Sequence, residues 1–251
     1  MKYYASCSFG KDSVATVLLA LEHGEPLDGV IWCEVMYDHE RGISGELPEH
    51  AEWIYNTAIP AFERMGVKTT VVRGEKDYLQ LFYSIRKSGK YPGKLYGFPI
   101  GGRCAINSEC KVGPIKKHMR KLGDHVTYIG IAIDEPARLA KLKSGQVSLL
   151  AKYGYTEEMA YDLCAKYGLL SPSYGMSTRG GCWFCPNARI SFFANLKQRH
   201  PELWRELETL SSVEGTCRHG FKWGMTLQEV SEKADKYLAK QEAQKAQLKI
   251  F

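Results

Sequence analysis

The stretch Ser8-Phe9-Gly10-Lys11-Asp12-Ser13 decides the fold, because of what flanks it. Ahead of it, Tyr3-Tyr4-Ala5-Ser6-Cys7 reads as a short buried strand. Behind it, Val14, Val17, Leu18 and Leu21 recur at helical spacing and predict one apolar helix stripe. A strand that runs through a tight turn of small and polar residues into a helix makes an anion site. The free N–H groups at the helix N-terminus and the positive end of its dipole both favour phosphate. Ser8 and Ser13 add hydroxyl donors, Gly10 lets the backbone approach closely, and Lys11 brings a full charge. The competing reading is an ordinary strand-to-helix turn in which Ser13 or Asp12 caps the helix. A Walker A loop is excluded, since G-x-x-x-x-G-K-[ST] does not occur there.

Outward from this turn the first half alternates strands and helices. Residues 29–35 and 67–72 and 126–131 read as further strands, with helices over 48–65, 78–86 and 113–122 between them. Such alternation predicts an α/β fold, a doubly wound, mostly parallel sheet with helices on both faces. Ligands of these sheets bind outside the carboxyl ends of the strands, where Ser8–Ser13 lies. After Ile133 helical patterns take over, at 156–167, 186–197, 201–210 and 226–248, and no further strand is expected. The division read from this change is an α/β nucleotide-binding core over 1–140 and a helical, cysteine-bearing C-terminal region over 141–251, packed on the core.

Composition narrows the class. In 251 residues, 44% hydrophobic and 25% charged content is that of a globular chain with a substantial core. No apolar run reaches the length of a membrane span, and the chain enters its first strand at once. Neither a signal peptide nor a membrane partner is therefore expected, and the cytoplasm is the expected compartment. Eight cysteines in a reducing compartment point to metal or sulfur chemistry rather than to disulfides. The net charge of +6 gathers partly in two groups, Lys111, Lys116, Lys117, Arg120 and Lys121, and Arg86, Lys87, Lys90 and Lys94. Either group suits a polyanion, or is a solvated face.

Cys182-Trp183-Phe184-Cys185 is a C-x-x-C step, and two thiolates so spaced can face one metal ion or cluster. Cys104 and Cys110 flank a short loop before a helix start and complete a candidate four-thiolate set. The spacing between them is not that of a zinc ribbon. Cys7, Cys33 and Cys164 stand in apolar contexts and read as core residues, while Cys217 stays open.

The Ser8–Ser13 turn closely resembles the S-G-G-K-D-S loop of the PP-loop ATP pyrophosphatases, with Phe9 in place of the first glycine. Three further segments, in order, resemble the phosphoadenosine phosphosulfate reductase family within that superfamily. They are Arg103-Cys104 through Cys110-Lys111-Val112-Gly113-Pro114-Ile115, Gly130 through Arg138, and Leu169 through Tyr174 followed by Arg179-Gly180-Gly181-Cys182-Trp183-Phe184-Cys185. The resemblance implies an adenine nucleotide alpha-hydrolase-like fold. It implies that Ser8, Phe9, Gly10, Lys11, Asp12 and Ser13 bind ATP with Mg²⁺, and that Lys11 and Asp12 serve catalysis. It offers Arg103, Arg138 and Arg179 as anchors for anionic groups, and a [4Fe–4S] cluster in preference to Zn²⁺ at Cys104, Cys110, Cys182 and Cys185. The reaction it implies is cleavage of ATP to AMP and pyrophosphate, adenylating a small-molecule or nucleic-acid acceptor in sulfur transfer, with a sulfur-donor protein as a further partner. Two alternatives stand beside it. One is a sulfonucleotide reductase using Cys217, since Glu214 through His219 distantly resembles that enzyme's nucleophile segment. The other is a non-enzymatic, zinc-stapled nucleic-acid-binding module.

Overall fold

The computed structural model describes residues 1–101, 104–176 and 180–248. Its strands are β1 (Lys2–Ser6), β2 (Gly29–Glu34), β3 (Met36–Asp38), β4 (Ile43–Ser44), β5 (Thr69–Arg73), β6 (His125–Ile129) and β7 (Gln146–Val147). Five of them form one sheet in the order β5-β2-β1-β6-β7, and every pairing is parallel. The chain therefore winds outward from β1 in both directions, and the strand order reverses beside it. A crevice opens at such a reversal, at the carboxyl end of the central strand. The turn Ser8–Ser13 sits in that crevice.

Helix α1 (Lys11–Glu22) follows the turn. The single apolar stripe expected for it is exceeded, since every residue from Ser13 to Ala20 is buried. Helices α7 (Leu149–Lys152) and α8 (Glu157–Lys166) cover its outer side. The last sheet strand, β7, lies after Ile133, where helical patterning predicts none; two residues are too few to show a period. It pairs with β6 at Thr127↔Gln146 and Tyr128↔Val147. Strands β3 and β4 form a separate antiparallel ribbon just past the end of β2.

Two prolines shape the helices that frame the crevice. The predicted 48–65 helix is α2 (Pro48–Trp53), a π-helical turn at Ile54–Ala58, and α3 (Ile59–Arg64). Pro60 lacks an N–H and its ring would strike the carbonyl four residues back, at Asn56, so the turn takes in an extra residue. The added residue shifts the helix phase, and Tyr55 is 39% exposed. Pro114 repeats the pattern. It follows a π-helical stretch at Ile106–Val112, which contains Cys110, and opens α5 (Gly113–Arg120) on the opposite sheet face. Between these lies α4 (Tyr78–Phe82), shorter than predicted.

The buried residues form two clusters. The first joins β1, β2, α1, α7 and α8 with the Ile54, Ala58 and Phe62 face, so elements from beyond residue 140 belong to the α/β layers. The second draws on both sides of residue 140. It joins Val35, Tyr37, Tyr78, Phe82 and Ile106 to Trp183, Phe184 and the helices α9 (Ile190–Arg199), α10 (Pro201–Ser211) and α11 (Leu227–Leu248). Trp183 and Phe184 are 0% and 1% exposed, so they pack as core and do not stand ready to stack on a base.

Phe9 ties the turn to the first cluster. It alone among the described non-glycine residues has positive φ, 57°. Its ring is fully buried, stacked on Phe62 at 5.7 Å and edge-on to Trp32 at 5.5 Å. The left-handed backbone costs about 1–2 kcal/mol, whereas deleting a buried phenyl group costs about 3–5 kcal/mol. Burial wins. Phe9→Gly is therefore expected to lower stability by about 2–3 kcal/mol, and Phe9→Ala by more, since it loses the ring and keeps the strain. Urea unfolding of the three proteins measures the order, and a Phe9→Gly protein more stable than the parent contradicts it.

Candidate functional site

The turn holds its shape through Ser13. Its hydroxyl donates to the Gly10 carbonyl at 2.9 Å and accepts from the Ser8 N–H at 3.1 Å, closing the loop on itself. Beneath it passes the end of β6. A Cβ on Gly130 would lie 2.7 Å from the main chain of Asp12 and Ser13, so the close approach requires glycine there. Phe9 turns into the core, which leaves Gly10 and Lys11 at the surface of the crevice. Among the described residues, no acceptor meets the main-chain N–H of Gly10 or Asp12. The N–H of Lys11 donates to the Tyr174 hydroxyl at 2.7 Å. That oxygen stands where an anion would sit at the α1 N-terminus.

The charged pair is asymmetric. Lys11 Nζ lies 2.7 Å from Asp12 Oδ1 and 3.1 Å from Glu157 Oε2. Burial pulls the Lys11 ammonium toward neutrality, but the two carboxylates outweigh it and its pKa rises. Asp12 is also raised. Burial acts first, Lys11 offsets it only in part, and Glu157 and Glu135 add repulsion. One ammonium thus serves two carboxylates, Asp12 and Glu157, a balance that a dication arriving with phosphate would correct.

Arg138 lies on the short helix α6 (Pro136–Leu139) after β6 and is paired with Glu135, so it borders the crevice through that carboxylate. Arg103 and Arg179 lie outside the described residues. Asp38, at the end of β3, is spoken for by Arg41 and the N–H groups of Glu40 and Arg41.

A cavity of ≈ 540 Å³ opens beside the crevice, between Val35, Ile106 and Phe184. Cys104, Cys182, Cys185 and Lys111 line it; Cys110 does not. Pro114 sets the π-helical stretch so that Cys110 is fully buried, and its carbonyl receives the Cys33 thiol at 3.3 Å. Burial pushes the Cys110 thiol up to about 12. The Cys182 sulfur lies deep although the residue is partly exposed, and burial raises it strongly, with Glu46 adding to and Lys111 opposing the effect. Among the described residues, no three His, Cys, Asp or Glu side chains converge as ligands of one ion. Cys7, Cys33 and Cys164 are core residues, as expected. Cys217 is also buried, and its thiol donates to the Tyr96 carbonyl at 3.0 Å.

Two residues of this neighbourhood are given no role by the sequence; Tyr174 enters there only as the end of the family-like segment Leu169–Tyr174. Tyr174 sits in a 3₁₀ turn, Pro172–Gly175, remote in sequence from the loop it touches. His50, 5% exposed, faces the Ser8 main chain, with Nδ1 2.7 Å from the Ser171 hydroxyl, which in turn lies 2.8 Å from that of Ser173. A neutral imidazole has one donor and one acceptor nitrogen, so a proton toward Ser8 leaves Nδ1 to accept from Ser171. His50 precedes Ile54 by one helical turn on the apolar stripe, and that spacing was the signal for it.

No protein-family model matches the chain, and no curated protein sequence does. Among solved structures, the U34-tRNA thiolase NcsA from Methanococcus maripaludis with its [4Fe-4S] cluster is similar at 16% identity and a TM-score of 0.40. That likeness covers 94% of this chain and 80% of that one. Among the described residues, no helix is long and apolar enough to cross a membrane.

Burial lowers the His50 pKa below its ordinary 6.5, so the folded protein holds the ring neutral. Between the folded and unfolded values the unfolded chain binds more protons, and stability falls as pH falls. Acidification from pH 6.5 is therefore expected to cost the parent protein stability that His50→Gln does not lose. Urea midpoints across that range measure the difference, and parallel curves contradict it.

Proposed function

We propose that this chain is a PP-loop enzyme of the phosphoadenosine phosphosulfate reductase family that binds ATP at Ser8–Ser13, cleaves it to AMP and pyrophosphate, and adenylates an acceptor in sulfur transfer. The observation that carries the reading is the turn's position. It lies at the carboxyl end of the central strand and carries the Lys11 ammonium together with main-chain N–H groups, at Gly10 and Asp12, that meet no acceptor among the described residues. That arrangement opposes the charge that grows on a departing pyrophosphate. An acceptor oxygen attacks the α-phosphorus, the bond to the bridging oxygen breaks, and its electrons leave with pyrophosphate. A sulfur nucleophile then displaces AMP from the acceptor. In this scheme Lys11 exchanges its carboxylate partners for phosphate oxygens, and Asp12, so released, holds Mg²⁺ or its waters. The Tyr174 hydroxyl gives up the Lys11 N–H to the incoming anion.

The cysteine cavity supports an iron–sulfur cluster better than zinc. Tetrahedral zinc needs four donors about 2.0–2.3 Å from one point, and the thiols here do not converge so. Three soft sulfur donors around one roomy cavity suit a cluster whose ligands stand at separate corners. Cys104, Cys182 and Cys185 would hold it, and it would supply a place to bind sulfur. The thiols of Cys110 and Cys182, raised by burial, ionise only with a cation's help.

The reductase alternative needs a mobile, reactive thiol. Cys217 instead is buried on a segment whose N–H donates to the Leu95 carbonyl at 2.8 Å, which disfavours it.

Two outcomes are expected. Pyrophosphate release from ATP falls by at least about a hundredfold in Lys11→Ala, the scale for losing one group aimed at developing charge; Cys217→Ser leaves it unchanged. A protein that binds ATP equally well in both forms and never releases pyrophosphate contradicts the reading. Anaerobically purified protein carries iron and sulfide with a broad visible absorption, lost in Cys182→Ser/Cys185→Ser and kept in Cys164→Ser. Equimolar zinc without iron contradicts the cluster.

A further inference from the structure

Two segments remote in sequence come together on the surface at the rim of the cysteine cavity. Leu95 is bridged on one side to Ile85 and on the other to Thr216, so a hairpin-like arm over residues 84–96 lies along residues 214–219. Main-chain bonds fix both contacts, Arg86 N–H to the Lys94 carbonyl at 2.9 Å and Cys217 N–H to the Leu95 carbonyl at 2.8 Å. Gly97 (φ 70°) allows the approach, since a Cβ there would lie 2.9 Å from the Thr216 side chain.

Residues 83–101 and 215–225 contain no aspartate or glutamate. The arm presents Lys87, Lys90 and Lys94, all exposed, and none of the three pairs with a carboxylate among the described residues. Arg86 lies over the Tyr96 ring at 5.7 Å, and Arg218 donates to the Gly101 carbonyl at 3.3 Å. Cations left without carboxylates on an ordered arm differ from an ordinary solvated face, where both signs mix.

Further along the same chain segment as Arg218, Trp223 stands 75% exposed at the tip of a tight turn closed by Met225 N–H to the Lys222 carbonyl. Its ring lies over Gly101, and a Cβ on Gly101 would come within 2.8 Å of it. The turn is tied to the C-x-x-C loop, since Lys222 Nζ donates to the carbonyls of Pro186 at 2.9 Å and Ala188 at 2.8 Å. Ala188 and Pro99 line the cavity itself. The patch therefore runs to the mouth of the cysteine cavity.

We propose that this patch binds single-stranded nucleic acid, with Lys87, Lys90 and Lys94 on phosphates and Trp223 stacked on a base. A polyanion alone would satisfy the lysines. The exposed indole adds a demand for a flat, apolar partner, and a strand with unstacked bases meets both demands at once. An acidic protein meets only the first. The inference rests on the proposed function only for the use of the strand, as the acceptor carried to the cavity; the binding is independent of ATP.

Fluorescence anisotropy of labelled single-stranded RNA and DNA with the full chain, over a salt series, tests it. Unlabelled polyglutamate serves as competitor. The parent is expected to bind strand and to hold it against polyglutamate. Lys87→Glu/Lys90→Glu/Lys94→Glu is expected to weaken binding and to flatten the plot of log affinity against log salt by about two, at about 0.7 per phosphate contact. Trp223→Ala is expected to lose about tenfold at unchanged slope. Displacement by polyglutamate at equal charge, or variants that bind strand as the parent does, overturns the proposal. Calorimetric ATP affinity, measured on the same samples, is expected to be unaltered by these substitutions. Strand binding without ATP binding would sink the proposed function and leave this surface standing.

Discussion

The geometry of the site depends on a turn that must leave β1, reverse into a left-handed residue and enter α1 within a few residues. Glycine would do this without strain. This chain uses Phe9, and the phenyl ring, clasped by Trp32, Trp53 and Phe62, offsets the strained backbone by burial. The turn is thereby anchored from below by an aromatic core. Ser13 locks it from within, and Gly130 admits it from the side. What remains toward the crevice is main chain and Lys11.

The second half of the chain acts on this turn from above. Tyr174 reaches the Lys11 N–H, and Ser171 reaches His50 behind Ser8. The same stretch of chain continues to Cys182 and Cys185, whose neighbours Trp183 and Phe184 pack on Tyr37 and Tyr78, past the end of β2. Phosphate loop and cysteine cavity are thus two ends of one packed unit. A ligand that displaces the Tyr174 hydroxyl acts on the segment that leads to the cysteines.

Much of this was legible in the sequence where a pattern was local. The turn, α1, and the parallel alternation through β6 follow from period and spacing, and the four cysteines were found as candidates by their steps. What was not legible depends on contacts between remote segments. The direction of the Phe9 ring is set by Trp32 and Phe62, and β7 exists only because β6 offers it an edge. Cys110 departs from the other three because it lies inside the π-helical stretch that Pro114, four residues on, terminates. Trp223 looks like any aromatic in a loop until the fold brings the basic arm over residues 84–96 onto the segment that leads to it. Arg103 and Arg179, chosen from motifs, lie outside the described residues.

The central claim is that the Gly10–Ser13 main chain grips the phosphates of ATP after the Tyr174 hydroxyl withdraws. Amide hydrogen exchange across residues 8–14 tests it most directly, with Mg²⁺–ATP, adenosine or no ligand added. The account predicts that ATP slows exchange at these amides and quickens it in the 172–175 turn, while adenosine does neither. Equal exchange with and without ATP, at saturating nucleotide, would contradict it.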